Sequence, residues 1–417
     1  MSFDNLGLHA NLLKGIHDLG FTRPTPVQSE VIPLILEGKD VIASAQTGTG
    51  KTAAFVLPIL HRLLNHPAHK PKGVRALIIA PTRELALQSI EHLQSLSRYV
   101  HLRGHAIFGG VPMNPQIQAL RQGVDIISAT PGRLLDHIYQ GRIDFGALET
   151  FVLDEADRMM DMGFLPDIKK IISLLPLKRQ TLIFSATIPD EIMELAQKIC
   201  HHPTKVQIGI KSTTPVGIRH AVYPVSQDQK TELLVRVLRE QNAASSVIIF
   251  TRTKFRADRV SHVLEREAIR ASVFHSDRSQ GQRLSALERF RSGRSQVLVA
   301  TDIAARGIDV KDITHVINFD VPQSPEDYIH RIGRTARAEA TGDAFSFVAP
   351  EEEKMIIEIE KAIRQRLPRV TLPDFNYRKS APHAHHAPSR SHGRSNHGGR
   401  PHQQRGPKRH FGGPTHR

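Results

Sequence analysis

A chain of 417 residues is too long for one ordinary core and fits two domains of ordinary size plus a tail. With 40% hydrophobic and 23% charged residues it reads as soluble and globular, and no apolar run approaches the roughly 20 residues of a bilayer span, so membrane insertion is excluded. The formal charge of +15 points to a polyanionic partner, because counterion release favours a basic surface on nucleic acid.

Residues 1–10 lack the succession of basic, apolar and small residues that marks secretion. The one cysteine, Cys200, fits a reducing cytoplasm, where the chain is expected, and reads as a half-buried thiol near a helix end. Short apolar runs rich in Val and Ile follow at 41–45, 76–80, 125–129, 151–153 and 181–184, with helical stretches between them. Continuous apolar strands alternating with helices predict a parallel sheet covered on both faces. A polar stretch with a proline and a glycine at 212–217 reads as a linker. The pattern then restarts at 247–251, 271–274, 297–300, 316–319 and 344–348. The expected fold class is therefore α/β, with two tandem parallel-sheet domains and a short hinge.

Met355, Ile356, Ile359 and Ile363 stand at helical spacing within 351–366, a helix expected to pack on the second domain. After Asp374 the composition turns to Arg, His, Gly, Pro and Ser with almost no large apolar residues, which reads as disorder. Residues 378–417 hold nine Lys or Arg and no Asp or Glu, nine of the fifteen net positive charges, leaving six for the body. Eight irregularly spaced histidines after Pro382 raise metal binding as an alternative use of this segment, without the fixed ligand pairs that such a site needs.

Two stretches carry chemistry. Ala45-Gln-Thr-Gly-Thr-Gly-Lys-Thr52 follows a strand and opens an apolar helix at 53–64. Small residues let backbone N–H groups face phosphates, and the helix N-terminus adds a favourable dipole. Ala45, Gln46, Thr47, Gly48, Thr49 and Gly50 would form the cradle, Lys51 would reach the β and γ phosphates, and Thr52 would hold Mg²⁺. The usual first glycine is Ala45 here, and a ligand-free Gly-rich turn is the alternative. Leu153-Asp-Glu-Ala-Asp157 leaves an apolar strand at the same predicted edge. Asp154 can hold Mg²⁺ and Glu155 can orient and deprotonate an attacking water, the two functions that phosphoryl transfer requires.

Asp154-Glu-Ala-Asp157 with Ser185-Ala-Thr187 resembles a DEAD-box RNA helicase. The likeness includes Pro81-Thr-Arg-Glu-Leu-Ala86, Gly109-Gly110, Thr130-Pro-Gly-Arg133, Ala300-Thr-Asp-Ile-Ala-Ala-Arg-Gly-Ile-Asp309 and His330-Arg-Ile-Gly-Arg-Thr-Ala-Arg337, in order from about Phe3 to Ala349. Asn114-Pro-Gln116 before Gly123-Val-Asp125 is similar to the RhlE-like branch.

The resemblance implies an ATP-dependent enzyme that unwinds short RNA duplexes or remodels RNA–protein complexes. Its implied layout is a RecA-like ATP-binding domain at 1–210, a linker at 211–219, a second RecA-like domain at 220–372 and a basic tail at 373–417. It implies that Gln28 reads adenine and Phe21 stacks on it, with Phe3 at the family's upstream aromatic position. Gly307 and Asp309 then lie near the ribose, and Arg334 and Arg337 act as arginine fingers. Ala336 stands where the family string has glycine, beside Arg337.

His330 is implied to couple to Ser185 and Thr187, although a plain structural role is open to it. RNA contacts are implied for Pro81, Thr82, Arg83, Gly109, Gly110, Thr130, Gly132, Arg133, Arg252, Gln280, Arg283 and Thr301. These hydroxyls, glycines and arginines suit a sugar-phosphate backbone and predict sequence-independent binding. RNA is thus the implied partner, a monomer suffices, and ribosome-assembly or RNA-decay proteins are the protein partners in view. A DNA translocase and an RNA clamp with incidental turnover are the rival readings.

Overall fold

The computed structural model describes residues 2–45, 48–66, 73–208, 217–240, 246–302, 313–335 and 342–377. Seven parallel strands build the first sheet: β1 (Val41–Ser44), β2 (Ala76–Ile79), β3 (Gly104–Ile107), β4 (Ile126–Ala129), β5 (Thr150–Leu153), β6 (Gln180–Ser185) and β7 (Thr204–Gln207). Their order is β3-β4-β2-β5-β6-β1-β7. The second sheet has six parallel strands, β8 (Ile218–Pro224), β9 (Val247–Thr251), β10 (Ala271–Phe274), β11 (Val297–Thr301), β12 (His315–Asn318) and β13 (Gly342–Val348), in the order β10-β11-β9-β12-β13-β8.

The continuous apolar runs are explained by burial on both faces. Val41 and Ala43 of β1, with Ala76 and Ile78 of β2, pack against α1 (Ala10–Asp18), α2 (Pro26–Leu36), α3 (Lys51–Asn65) and α4 (Arg83–Leu96). The alternate residues Ile42, Leu77 and Ile79 face a second cluster from α6 (Pro131–Tyr139), α7 (Ala156–Asp161), α8 (Leu165–Ser173) and α9 (Asp190–Ile199). β1 pairs with β6 from Val41 opposite Leu182 to Ser44 opposite Ser185. A one-residue slip would exchange the two faces, and each fully buried Ile or Leu resists it with roughly 1.5–3 kcal/mol.

The second sheet repeats the arrangement. Val247, Ile249, Val297 and Val299 meet α10 (Lys230–Glu240) and α11 (Lys254–Arg266), while Ile248, Phe250, Leu298 and Ala300 meet α12 (Gln280–Arg291). Tyr328 and Ile332 of α13 (Pro325–Ile332) and Ile356, Ile359 and Ile363 of α14 (Glu353–Ile363) cover the remaining strand edge.

The expected strands are present within a residue or two at either end. β3, β7 and β8 have no counterpart among them, because all three stand at or next to a sheet edge and mix exposed with buried positions. The segment 212–216 of the expected linker lies outside the described residues, and Gly217 leads into β8. Beyond α14 the chain still packs: Leu372, Phe375 and Tyr377 rest on the second sheet's core, and Gln229 Nε2 donates to Asn376 O at 2.8 Å. The composition change at Asp374 thus precedes the last packed residue. Residues 378–417 lie outside the described residues.

Candidate nucleotide and RNA site

The first sheet places its chemistry at the C-terminal ends of β1, β2, β5 and β6, where open α/β sheets bind ligands. After β1, Ala45 is buried and its N–H donates to Ser185 O at 3.0 Å. Gly48 and Gly50 follow with φ of 84° and 91°, and α3 begins at Lys51. Lys51 is only 6% exposed and its Nζ donates to Ala45 O at 2.7 Å, so the ammonium closes the loop on itself. Thr49 and Thr52 are half-buried, and Gln46 and Thr47 lie outside the described residues.

Gln28, buried on α2, ties into the same loop. Its Nε2 donates to Gly50 O at 3.1 Å and its Oε1 accepts from Thr25 N at 3.0 Å. A Cβ on Gly50 would stand 2.5 Å from Gln28 Nε2, so the close approach requires glycine as well as the positive φ. The Gln28 amide keeps one N–H and one lone pair beyond these two bonds, the pair that an adenine edge needs. Phe21 is 36% exposed, available for stacking, whereas Phe3 is packed in the core.

Asp154 and Glu155 leave β5 buried at 4% and 8% exposure. Asp154 Oδ1 has no hydrogen-bond partner among the described residues. Burial pushes its carboxyl up to about 7, the Glu155 charge adds to this, and Lys51 opposes it. A desolvated carboxylate oxygen without a donor is what a cation would satisfy. Glu155 sits at φ 53°, left-handed backbone that costs a non-glycine residue about 1–3 kcal/mol. Burial pulls its carboxyl upward, but Arg158, Lys51 and Arg334 outweigh this and hold it below the ordinary range. Arg158 Nη1 lies 2.9 Å from Glu155 Oε2. Arg334 is buried just past α13, so a guanidinium from the second sheet's unit acts on an acid of the first. Arg337, Ala336, Gly307 and Asp309 lie outside the described residues.

Asp157 carries a role that its place in the string did not disclose. Its Oδ2 accepts from Ala186 N at 3.1 Å, Thr187 N at 2.8 Å and Thr187 Oγ1 at 3.0 Å, and its own N–H donates to Ser185 Oγ at 3.0 Å. The acidic turn and the Ser185-Ala-Thr187 turn are thereby one hydrogen-bonded body. His330 sits half-buried on α13.

The expected RNA contacts fall into two groups. Pro81 and Thr82 lie between β2 and α4, with Thr82 Oγ1 accepting from Leu85 N at the helix start. The Arg83 guanidinium lies on Gly110, whose φ is 78° and whose Cβ, if present, would overlap it. Arg133, one turn into α6 from Thr130 and the exposed Gly132, donates from both Nη atoms to Val111 O. Arg252 is exposed beside Glu352 and Val321 O, and Thr301 is half-buried at the end of β11.

Gln280 and Arg283 differ. They are buried at 4% and 7% and both grip Glu84 of the first sheet's unit: Gln280 Nε2 at 3.1 Å from Oε1, and Arg283 Nη2 at 2.8 Å from Oε2. Glu84 sits inside the Pro81–Ala86 string, yet only its partner 196 residues away reveals its use.

Residues 25–195 match the DEAD/DEAH box helicase family, and residues 229–339 match the helicase conserved C-terminal domain. The chain is 44% identical over 374 residues to the ATP-dependent RNA helicase CshA of Listeria monocytogenes, covering 90% of this chain and 71% of that protein. It is 44% identical over 375 residues to the DEAD-box ATP-dependent RNA helicase CshA of Geobacillus kaustophilus, covering 90% and 79%. Among solved structures, S. cerevisiae Dbp5 bound to RNA and ADP BeF3 superposes with a TM-score of 0.80 at 32% identity, covering 88% of this chain and 95% of that one. The narrower likeness to the RhlE-like branch gains no support from these relatives, which are CshA proteins. Among the described residues no helix is long and apolar enough to cross a membrane.

Proposed function

The chain belongs to the DEAD-box family of ATP-dependent RNA helicases, and on that premise we propose how its own residues divide the work. Phe21 and Gln28 take the adenine, and the loop from Ala45 to Gly50 with Lys51 takes the phosphates. Thr52 and Asp154 are the residues that would hold Mg²⁺, which would supply neutralisation of charge on the phosphate oxygens. The orphaned, buried Oδ1 of Asp154 supports that assignment. Glu155 orients the attacking water and accepts its proton. Arg334, with Arg337, spreads its charge over the equatorial oxygens of the transferring group, a role worth roughly 10³–10⁵ in rate where arginine fingers operate.

The observation that carries this reading is that Arg334, buried just past α13, lies near enough for its charge to help hold the Glu155 carboxyl down. Lys51, Asp154 and Glu155 come from residues 1–210 and the arginine from 220–372, so neither part holds the full set. ATP and RNA each favour the arrangement that unites them, and by linkage each strengthens binding of the other. RNA lies on Pro81–Arg83, Gly109–Gly110 and Thr130–Arg133 on one side and on Arg252 and Thr301 on the other, through its backbone and independently of sequence. Strand bending on closure opens short duplexes locally, and loss of the γ-phosphate releases the strand. The tail, with its nine basic residues, tethers RNA without specificity. The protein acts in the cytoplasm as a monomer.

Glu155→Gln tests the division of labour, since it preserves shape and removes the base. ATP and RNA binding persist in this variant while turnover falls by about 10² or more, the scale of a lost general base. Undiminished hydrolysis would refute the role of Glu155.

A further inference from the structure

The Gly109–Gly110 turn that follows β3 is gripped from both flanks. Gln116, 3% exposed on α5 (Met113–Gln122), donates from Nε2 to Phe108 O at 3.0 Å. That bond commits the nitrogen and so fixes the amide's orientation. Its Oε1 then faces His137 Nε2 at 3.2 Å. An amide oxygen only accepts, which puts the imidazole proton on Nε2.

His137 is fully buried on α6, and burial, with the nearby Arg142 and Arg133 charges, holds its basicity below the usual range and keeps the ring neutral in that tautomer. Its Nδ1 has no partner among the described residues, so Gln116 is the partner of the ring's polar edge. On the far flank both Nη atoms of Arg133 donate to Val111 O, at 3.2 and 3.3 Å. Both flanking carbonyls are therefore taken. Among the described residues neither Gly109 N–H nor Gly110 N–H has an intramolecular acceptor. Unpaired N–H donors at a glycine turn suit a phosphodiester oxygen.

We propose that Gln116 and His137 are positioning residues for RNA, a buried relay from α6 through α5 that holds the Phe108 carbonyl and with it the phosphate-receiving shape of the glycine turn. The inference rests on the assignment of that turn to the RNA site. Neither side chain reaches the strand itself. Each acts through the backbone of residues 108–111.

The test is RNA-stimulated ATP hydrolysis by the full chain, titrated with single-stranded RNA. Gln116→Leu, close in volume, loses both hydrogen bonds, and the RNA concentration for half-stimulation rises about tenfold. The rate at saturating RNA and the KM for ATP stay within about twofold, since neither bond touches the nucleotide. Gln116→Glu, in its ionised form above its titration, still accepts from His137 but cannot donate to Phe108 O. It shows the same rise, whereas a role in packing alone would be rescued by this near-isostere. His137→Phe keeps an aromatic ring but no polar edge and gives a smaller rise of about threefold, and amide exchange at Gly109 and Gly110 quickens in all three variants.

Gly110→Ala separates the layers. An unchanged half-stimulation there removes the turn from the RNA site and the inference with it. A rise in Gly110→Ala with none in Gln116→Leu or His137→Phe overturns the inference alone. A parallel fall in saturated rate and RNA affinity in folded Gln116 variants also overturns it.

Discussion

Removing the carboxylate of Glu84 isolates the contact between the two sheets' units. Glu84 and Arg283 are 3% and 8% exposed at their side chains and meet at 2.8 Å, with Gln280 on the other oxygen at 3.1 Å. Arg283 also lies over the Phe274 ring at 4.8 Å, and its Nε has no partner among the described residues. Glu84→Ala would leave this guanidinium desolvated and unpaired, and breaking one side of a buried ion pair costs about 3–5 kcal/mol. When the units part, all three side chains regain water. The cost therefore falls on closure and leaves the fold of either unit nearly intact.

At about 1.4 kcal/mol per decade, 3 kcal/mol shifts closure roughly a hundredfold. The RNA concentration for half-stimulation of ATP hydrolysis rises by up to that factor. Glu84→Gln keeps an acceptor and loses only the charge, and rises less. Glu84 also stands in the first turn of α4, where an acidic residue contributes about 0.3–1 kcal/mol, so the unfolding temperature drops only slightly. Half-stimulation within about twofold of the parent in Glu84→Ala would refute the clamp. A collapsed unfolding temperature would instead make Glu84 part of the first unit's core.

Gln28→Ala removes the amide that links Thr25 to Gly50 and to which adenine reading is assigned; on that assignment it weakens ATP and lowers the ATP-to-GTP preference by roughly tenfold, at about 0.5–1.5 kcal/mol per lost hydrogen bond. Competition binding of the two nucleotides measures this, and an unaltered ratio would remove Gln28 from base recognition. Truncation after Tyr377 spares the packed residues and deletes nine positive charges. RNA half-stimulation rises, the salt slope flattens by up to about 6, and the saturated rate holds, because single strands contribute roughly 0.7 per neutralised phosphate. Equal salt slopes in the two proteins would refute the tether.

Legibility in the sequence followed the range of the interaction. Strands buried on both faces, such as β2 and β9, announce themselves as apolar runs, and the loop before α3 and the acidic turn after β5 are local in sequence, so the flanks of Lys51, Asp154 and Glu155 place them at strand ends. The edge strand β3 could not, since Gly104 and His105 are half-exposed and break the run. Cys200 is indeed half-buried at the end of α9, where burial and the Asp40 charge push its thiol up to about 12.

Residues whose use depends on distant partners were silent. Asp157 and Glu84 lie inside the strings 154–157 and 81–86, and only the turn at 185–187 and the side chains at 280 and 283 give them their work. Gln280 and Arg283, expected among the RNA contacts, are buried against Glu84, a contact that residue type alone does not disclose.

The most direct measurement is steady-state ATP hydrolysis by the unmodified protein with no nucleic acid, with single-stranded RNA and with DNA of the same sequence. A catalytic set divided between two units and united by the strand predicts roughly tenfold or greater stimulation by RNA, in keeping with coupling of 1–3 kcal/mol, and little by DNA, which lacks the 2′-hydroxyl. A rate independent of RNA, or equal stimulation by DNA, would contradict it.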